Sequence, residues 1–251
     1  MELSEFFAEN NRAALAFSGG ADSTYLLYAA LKHGADVTAY YVKSQFQPEF
    51  EFNDAKRAAR ELGARMKVIP VDVLACERVC ENPPERCYHC KREIMSAIRA
   101  AASEDGYELI LDGANASDDA SDRPGMRAAR ELEVRSPLRE CGITKPELRR
   151  LSREAGLFTW DKPAYACLAT RVKTGERITA ELLERIEESE ARLFELGFHD
   201  FRVRVSGGDA LLQFTADELP RAREREGELR ALIAPYFERV RLDDKERKQG
   251  L

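Results

Sequence analysis

Ser18-Gly19-Gly20-Ala21-Asp22-Ser23 follows directly on the apolar run Ala13-Ala-Leu-Ala-Phe17. Such a run suits a strand buried on both faces, and the next stretch has helical spacing, so the six residues form a strand-to-helix turn. Two glycines let backbone N–H groups approach phosphate oxygens closely, and the helix N-terminus adds favourable partial charge. Ser18 and Ser23 offer hydroxyl groups. Asp22 is out of place beside phosphates unless it holds Mg²⁺ between them. The lysine of the Walker A pattern is absent, which excludes a P-loop NTPase. The competing reading is a Gly-rich turn with no ligand.

Cysteines are the second source of chemistry. Cys87-Tyr88-His89-Cys90 spaces two thiols for one metal, and Cys167 lies far along the chain. Three thiolates leave one corner of a [4Fe–4S] cluster open to an exogenous ligand such as sulfide. Cys76-x-x-x-Cys80 followed by Cys87-x-x-Cys90 serves equally as a Cys₄ zinc site. Simple burial is the third option. Cys141 has no partner at ligand spacing and reads as structural. No signal peptide precedes them, so a disulfide framework is a poor fit.

The elements that must position these groups alternate. Asp22 to His33 is helical and stops at Gly34, Val37 to Val42 is a strand, and Asn53 to Leu62 is a helix stopped by Gly63. Met66 to Val71 is a third strand. Leu74 to Cys90 breaks the rhythm around Asn82-Pro-Pro84. A helix over Lys91 to Ala102 and a strand over Leu109 to Leu111 resume it. Thr144-Lys-Pro-Glu147 reads as a capping box opening a helix to Ala155. This alternation predicts an α/β fold, a parallel sheet with helices on both faces.

After Lys173 the pattern changes to a long charged helix, Thr179 to Leu196. Paired strands, Phe201 to Val205 and Ala210 to Phe214, flank Ser206-Gly-Gly-Asp209, and a short strand, Arg239 to Leu242, closes the chain. The expectation is a domain over 1–174 and a smaller α+β domain over 175–251. Ser44 and Asp112-Gly113 follow predicted strands, where the second half of a nucleotide site lies in such sheets. Each alone reads as an ordinary loop residue.

With 44% hydrophobic residues in 251 the chain can bury a sizeable core, and no apolar run is long enough to cross a bilayer. The sequence therefore implies a cytoplasmic protein without a membrane partner. A formal net charge of -6 counts against a long nucleic-acid partner, whose phosphates need a basic face.

The Ser18–Ser23 loop resembles the PP-loop of ATP pyrophosphatases, which cut ATP to AMP and pyrophosphate. Beyond it, Asn82-Pro-Pro-Glu-Arg-Cys-Tyr-His-Cys-Lys91, Asp112-Gly-Ala-Asn115 through Arg123-Pro-Gly125, Arg135-Ser-Pro-Leu138, Trp160-Asp-Lys-Pro163, Ala166-Cys-Leu-Ala-Thr-Arg171 and Phe201-Arg-Val-Arg204 are similar to the LarE family. The likeness covers nearly the whole chain. It implies a sulfur transferase of nickel-pincer nucleotide biosynthesis, the route to the lactate racemase cofactor. Its reaction adenylates the carboxylates of pyridinium-3,5-biscarboxylic acid mononucleotide and replaces oxygen with sulfur. Some members sacrifice a cysteine; others carry three for a cluster, and Cys87, Cys90 and Cys167 resemble the cluster type. The sacrificial position falls on Ala166, beside Cys167, and sacrificial transfer from Cys167 is the alternative.

The expected ATP site is Ser18, Gly19, Gly20, Asp22 and Ser23 of the loop with Ser44 and Gly113 by their strand-end positions; Lys91, next to Cys90, offers a positive group near the adenylate, with an ordinary surface lysine as the bland reading. Arg202 and Arg204 share one face of their strand and suit a phosphate monoester; an exposed charged strand is the bland reading. Glu190 and Arg171 carry over as further candidates. A trimer-based homo-oligomer is implied, and Arg247-Lys-Gln-Gly250 departs from the family's tail. The rivals are a PP-loop tRNA thiolation enzyme, which also pairs this loop with a three-cysteine cluster, and an ATP-binding sensor without turnover.

Overall fold

A computed structural model of the chain describes residues 1–118 and 124–247. In chain order its first elements are α1 (Leu3–Glu9), β1 (Arg12–Ala16), α2 (Ala21–Lys32), β2 (Asp36–Lys43), α3 (Glu49–Glu61) and β3 (Arg65–Pro70). There follow α4 (Glu77–Cys80), α5 (Arg86–Glu104), β4 (Ile110–Leu111), α6 (Pro124–Glu131), α7 (Pro137–Glu140) and α8 (Lys145–Glu154). The last are α9 (Ala180–Glu195), β5 (Phe201–Ser206), β6 (Asp209–Phe214), α10 (Leu219–Glu224), α11 (Glu226–Ile233) and β7 (Val240–Leu242).

Packing divides the chain into two compact units. Residues 1–73 and 85–162 form one, and 74–84 with 163–251 form the other. The sequence places its boundary near 174, where composition changes, whereas long-range bonds put 74–84 with the later residues. Asn82 Nδ2 donates to Lys173 O at 2.9 Å, Gly175 N to Asn82 O at 2.8 Å, and Ile178 N to Cys80 O at 2.8 Å.

In the first unit four parallel strands run in the order β3-β2-β1-β4. Both faces are covered, as the unbroken apolar strands require. Ala13, Leu15, Val37, Ala39 and Tyr41 face a core built with residues of α1, α2, α3 and α8. Their sequence neighbours Ala14, Tyr40 and Val42 face Met95, Ile98 and Ala102 of α5. β1 lies between β2 and β4, so its connection leaves one way and the partner strand arrives from the other. That reversal opens a crevice at the C-terminal strand ends, where α/β sheets take ligands.

Three local expectations change, the first being that α5 begins at Arg86 rather than Lys91. α3 begins at Glu49, with Pro48 as N-cap, rather than at Asn53. α8 forms as expected but Thr144 makes no side-chain cap; only its carbonyl accepts, from Leu148 N at 2.8 Å. In the second unit β5 and β6 pair antiparallel and β7 joins β6 in parallel. Gly207 and Gly208 both have positive φ, 57° and 85°, which the two-residue hairpin turn requires. Among the described residues no helix is long and apolar enough to cross a membrane.

Candidate functional site

The Ser18–Ser23 loop sits at the C-terminal end of β1 and runs into α2, with Gly20 as N-cap. Its two serines hold the turn: Ser18 N donates to Ser23 Oγ at 3.2 Å, and the two hydroxyls lie 3.0 Å apart. Gly19 has φ +72°, and a Cβ there would stand 2.7 Å from Ala55 Cα. Gly113, after β4, is as tight: its Cβ would stand 2.9 Å from Ser23 N. Both glycines are therefore demanded by backbone approach, one from α3 and one from the start of α2.

Asp22, in the first turn of α2, is gripped from two distant places. Lys145 Nζ lies 2.5 Å from its Oδ2, and Asn115 Nδ2 donates to its Oδ1 at 3.1 Å. Asn115 is itself buried and anchored, its Oδ1 accepting from Ser117 N at 2.8 Å. Neighbouring Asp112, also buried, accepts from Ser136 Oγ at 2.7 Å and faces Lys91 Nζ at 3.6 Å. Lys91, Gly113 and the Ser18–Ser23 loop thus converge at the ends of β1 and β4. Ser44 lies at the end of β2, buried, with its hydroxyl donating to Gln47 Oε1 at 2.7 Å.

Sequence reasoning missed Asn115 and Lys145. A signal existed for the second, because a lysine in the first turn of a helix opposes the macrodipole and calls for a local partner. Asn115 belongs to the Asp112–Asn115 motif but offers no pattern of its own.

Cys87 and Cys90 fall in the opening turn of α5, three apart and so on one side of it; Cys87 is exposed and Cys90 half-buried. Cys76 and Cys80 belong to the second unit. There Cys80 is buried, with its thiol directed to Leu74 O at 3.0 Å, which is how a packing cysteine behaves. Cys141 packs against the first unit's core, and burial pushes its thiol up. No group of three or more His, Cys, Asp or Glu side chains within reach of one metal occurs among the described residues.

In the second unit Cys167 lies in 163–167, a stretch without regular structure, followed by a 3₁₀ turn, Leu168–Arg171. Arg171 is fully buried and forms a two-pronged ion pair with buried Glu190, at 2.9 and 3.0 Å. Burial opposes the Arg171 charge, yet Glu190 outweighs it and holds the guanidinium above its ordinary value. Tyr165 donates to the same carboxylate, and Val203 N completes it at 2.9 Å. Breaking so enclosed a pair costs about 3–5 kcal/mol.

Arg202 and Arg204 lie on the same face of β5, and both turn to the Cys167 segment. Arg202 Nη2 donates to Ala164 O at 2.9 Å, and Arg204 Nη1 to Thr170 O at 2.7 Å. Burial and then the Arg171 charge pull Arg202 down to about 10 and lower Arg204 as well. Positive charge is crowded here, an environment that favours an anion.

Residues 12–79 match the family described as queuosine biosynthesis protein QueC. The chain is similar to an uncharacterized protein of Synechocystis sp., 37% identical over 86% of this chain and 81% of that one. It is also similar to the pyridinium-3,5-bisthiocarboxylic acid mononucleotide synthase of Lactiplantibacillus plantarum, 35% identical over 84% of this chain and 76% of the relative. The tRNA-specific 2-thiouridylase MnmA of Thermotoga sp. is more distant, 25% identical over 60% of this chain and 54% of its own length.

Proposed function

The chain belongs to the LarE family, with the PP-loop ATP pyrophosphatase fold and ATP-dependent sulfur transfer, and we propose that it acts on pyridinium-3,5-biscarboxylic acid mononucleotide. The observation that carries this reading is the likeness to the plantarum synthase over 84% of the chain. ATP docks on Ser18 to Ser23 with Gly113 and Ser44 at the neighbouring strand ends. A substrate carboxylate oxygen bonds to the α-phosphorus as the bond to the β-phosphate oxygen breaks, and pyrophosphate leaves. Sulfide sulfur then bonds to the acyl carbon, AMP departs with the former carboxylate oxygen, and a thiocarboxylate remains. A second round converts the other carboxylate.

Positioning and charge neutralisation carry the attack at phosphorus. Lys145 supplies the positive charge that a loop without a Walker lysine lacks: in exchanging Asp22 for phosphate oxygens it frees the carboxylate. Asp22 and the phosphates suffice for Mg²⁺, which typically takes one or two carboxylates and completes its shell with phosphate and water. Lys91, held by Asp112, stands ready for the adenylate. Arg202 and Arg204 receive the substrate's phosphate monoester. Cys87, Cys90 and Cys167 are the thiols for a [4Fe–4S] cluster, which when bound would carry the sulfide at its open iron. The buried Cys80 thiol, directed to the Leu74 carbonyl, counts against a zinc site built from all four.

The test is pyrophosphate release from ATP on addition of the biscarboxylate mononucleotide. Release that depends on that substrate and is lost in Gly19→Ala supports the reading. Tight ATP binding without release would favour a sensor instead, and a gel shift of tRNA at moderate salt would favour tRNA thiolation.

A further inference from the structure

The segment that carries Cys167 is held by its backbone carbonyls. Ala164 O accepts from Arg202, Ala166 O from Arg171 Nη1 at 2.7 Å, and Thr170 O from Arg204. The Cys167 carbonyl accepts from the Thr170 hydroxyl at 2.8 Å. Between these anchors two guanidinium groups lie against the Tyr165 ring, Arg171 at 4.4 Å and Arg202 at 4.9 Å from its centroid. A segment with no regular structure is thus held by two arginines far from it in sequence, Arg202 and Arg204, and by Arg171 at its own end.

The anchors are unequal. Arg171 is bound to Glu190 through two nitrogens and is buried, so it has no freedom to turn. Arg202 and Arg204 hold the segment by neutral carbonyls, and Asp200 approaches Arg202 only to 3.7 Å. A dianionic phosphate adds opposite charge and a bidentate fork-to-fork geometry to its bonds with guanidinium, which a single neutral carbonyl cannot match. It outcompetes a carbonyl for the same fork of N–H groups.

We infer that Arg171, Arg202 and Arg204 are positioning residues for the Cys167 segment, and that a substrate phosphate monoester displaces Ala164 O and Thr170 O from Arg202 and Arg204. Substrate arrival then loosens both ends of the segment while Arg171 keeps its middle. The cysteine is free to move only when the acceptor of its chemistry is bound. This rests on the reading that Arg202 and Arg204 receive the phosphate.

The experiment is hydrogen exchange by mass spectrometry on the full chain, following peptides over 163–171, with ribose 5-phosphate as ligand and ribose as control. Binding is measured in parallel by calorimetry. Ribose 5-phosphate should speed exchange in this segment by about tenfold or more, tenfold being the effect of losing one of its two bonds to Arg202 and Arg204, and ribose should leave it unchanged. Arg204→Lys, which keeps charge but loses the planar fork, should exchange faster without ligand and respond less. Saturable binding with unchanged or slowed exchange overturns the coupling and leaves the phosphate reading standing. Absence of binding overturns both.

Discussion

At the level of single residues, the pair between Asp22 and Lys145 is the most informative contact. Both side chains are about 30% exposed, so their mutual attraction adds little to stability, on the order of 0.5 kcal/mol. At the proposed ATP site such a pair is worth more to the ligand than to the fold. Lys145→Met should therefore raise the KM for ATP about tenfold while shifting the melting temperature by only a degree or so. Pyrophosphate assays and thermal melts on the same preparation check this, and a large loss of stability with unchanged KM would make Lys145 structural. Glu190 and Arg171 show the opposite balance. Their enclosed pairing supports the residues around them.

At the level of elements, the strand-loop-helix unit around β1 and α2 was legible because it is local. An apolar run, two glycines and a helical period all lie within twenty residues, and each is set by backbone geometry. The 74–84 segment was illegible for the converse reason. Its prolines and cysteines broke every periodicity, and its place depends on bonds reaching about ninety residues along the chain. Asn82 is the pin: it is buried, has φ +53° and donates to Lys173 O. Asn82→Ala removes the bond and leaves an alanine in left-handed backbone, so it should destabilise the second unit by about 2 kcal/mol. Denaturant unfolding of the variant checks the value, and a change under 0.5 kcal/mol would show that the segment is held elsewhere.

For the whole molecule, buried tyrosines set a limit on the alkaline side. Burial first, then neighbouring carboxylates, hold Tyr41 and Tyr165 above the ordinary phenol value; burial and the Asp105 bond do the same for Tyr40. A raised folded pKa contributes stability that is fully present below the unfolded value, about 10, and is lost as pH rises beyond it. Urea midpoints should therefore be flat up to about pH 9.5 and fall above it, with tyrosinate absorbance appearing together with unfolding. Tyrosinate formed in a chain that stays folded would contradict this burial.

The sequence by itself determined the order of strands and helices, the strand-to-helix turn at Ser18–Ser23, and the shared face of Arg202 and Arg204, because each follows from local backbone geometry. Tertiary structure alone decided what those groups face. Asp22 meets a lysine 123 positions away, and the two arginines meet the backbone of residues 164 and 170. Such pairings depend on the path of the folded chain, which brings distant residues within hydrogen-bond reach, and no local period encodes them.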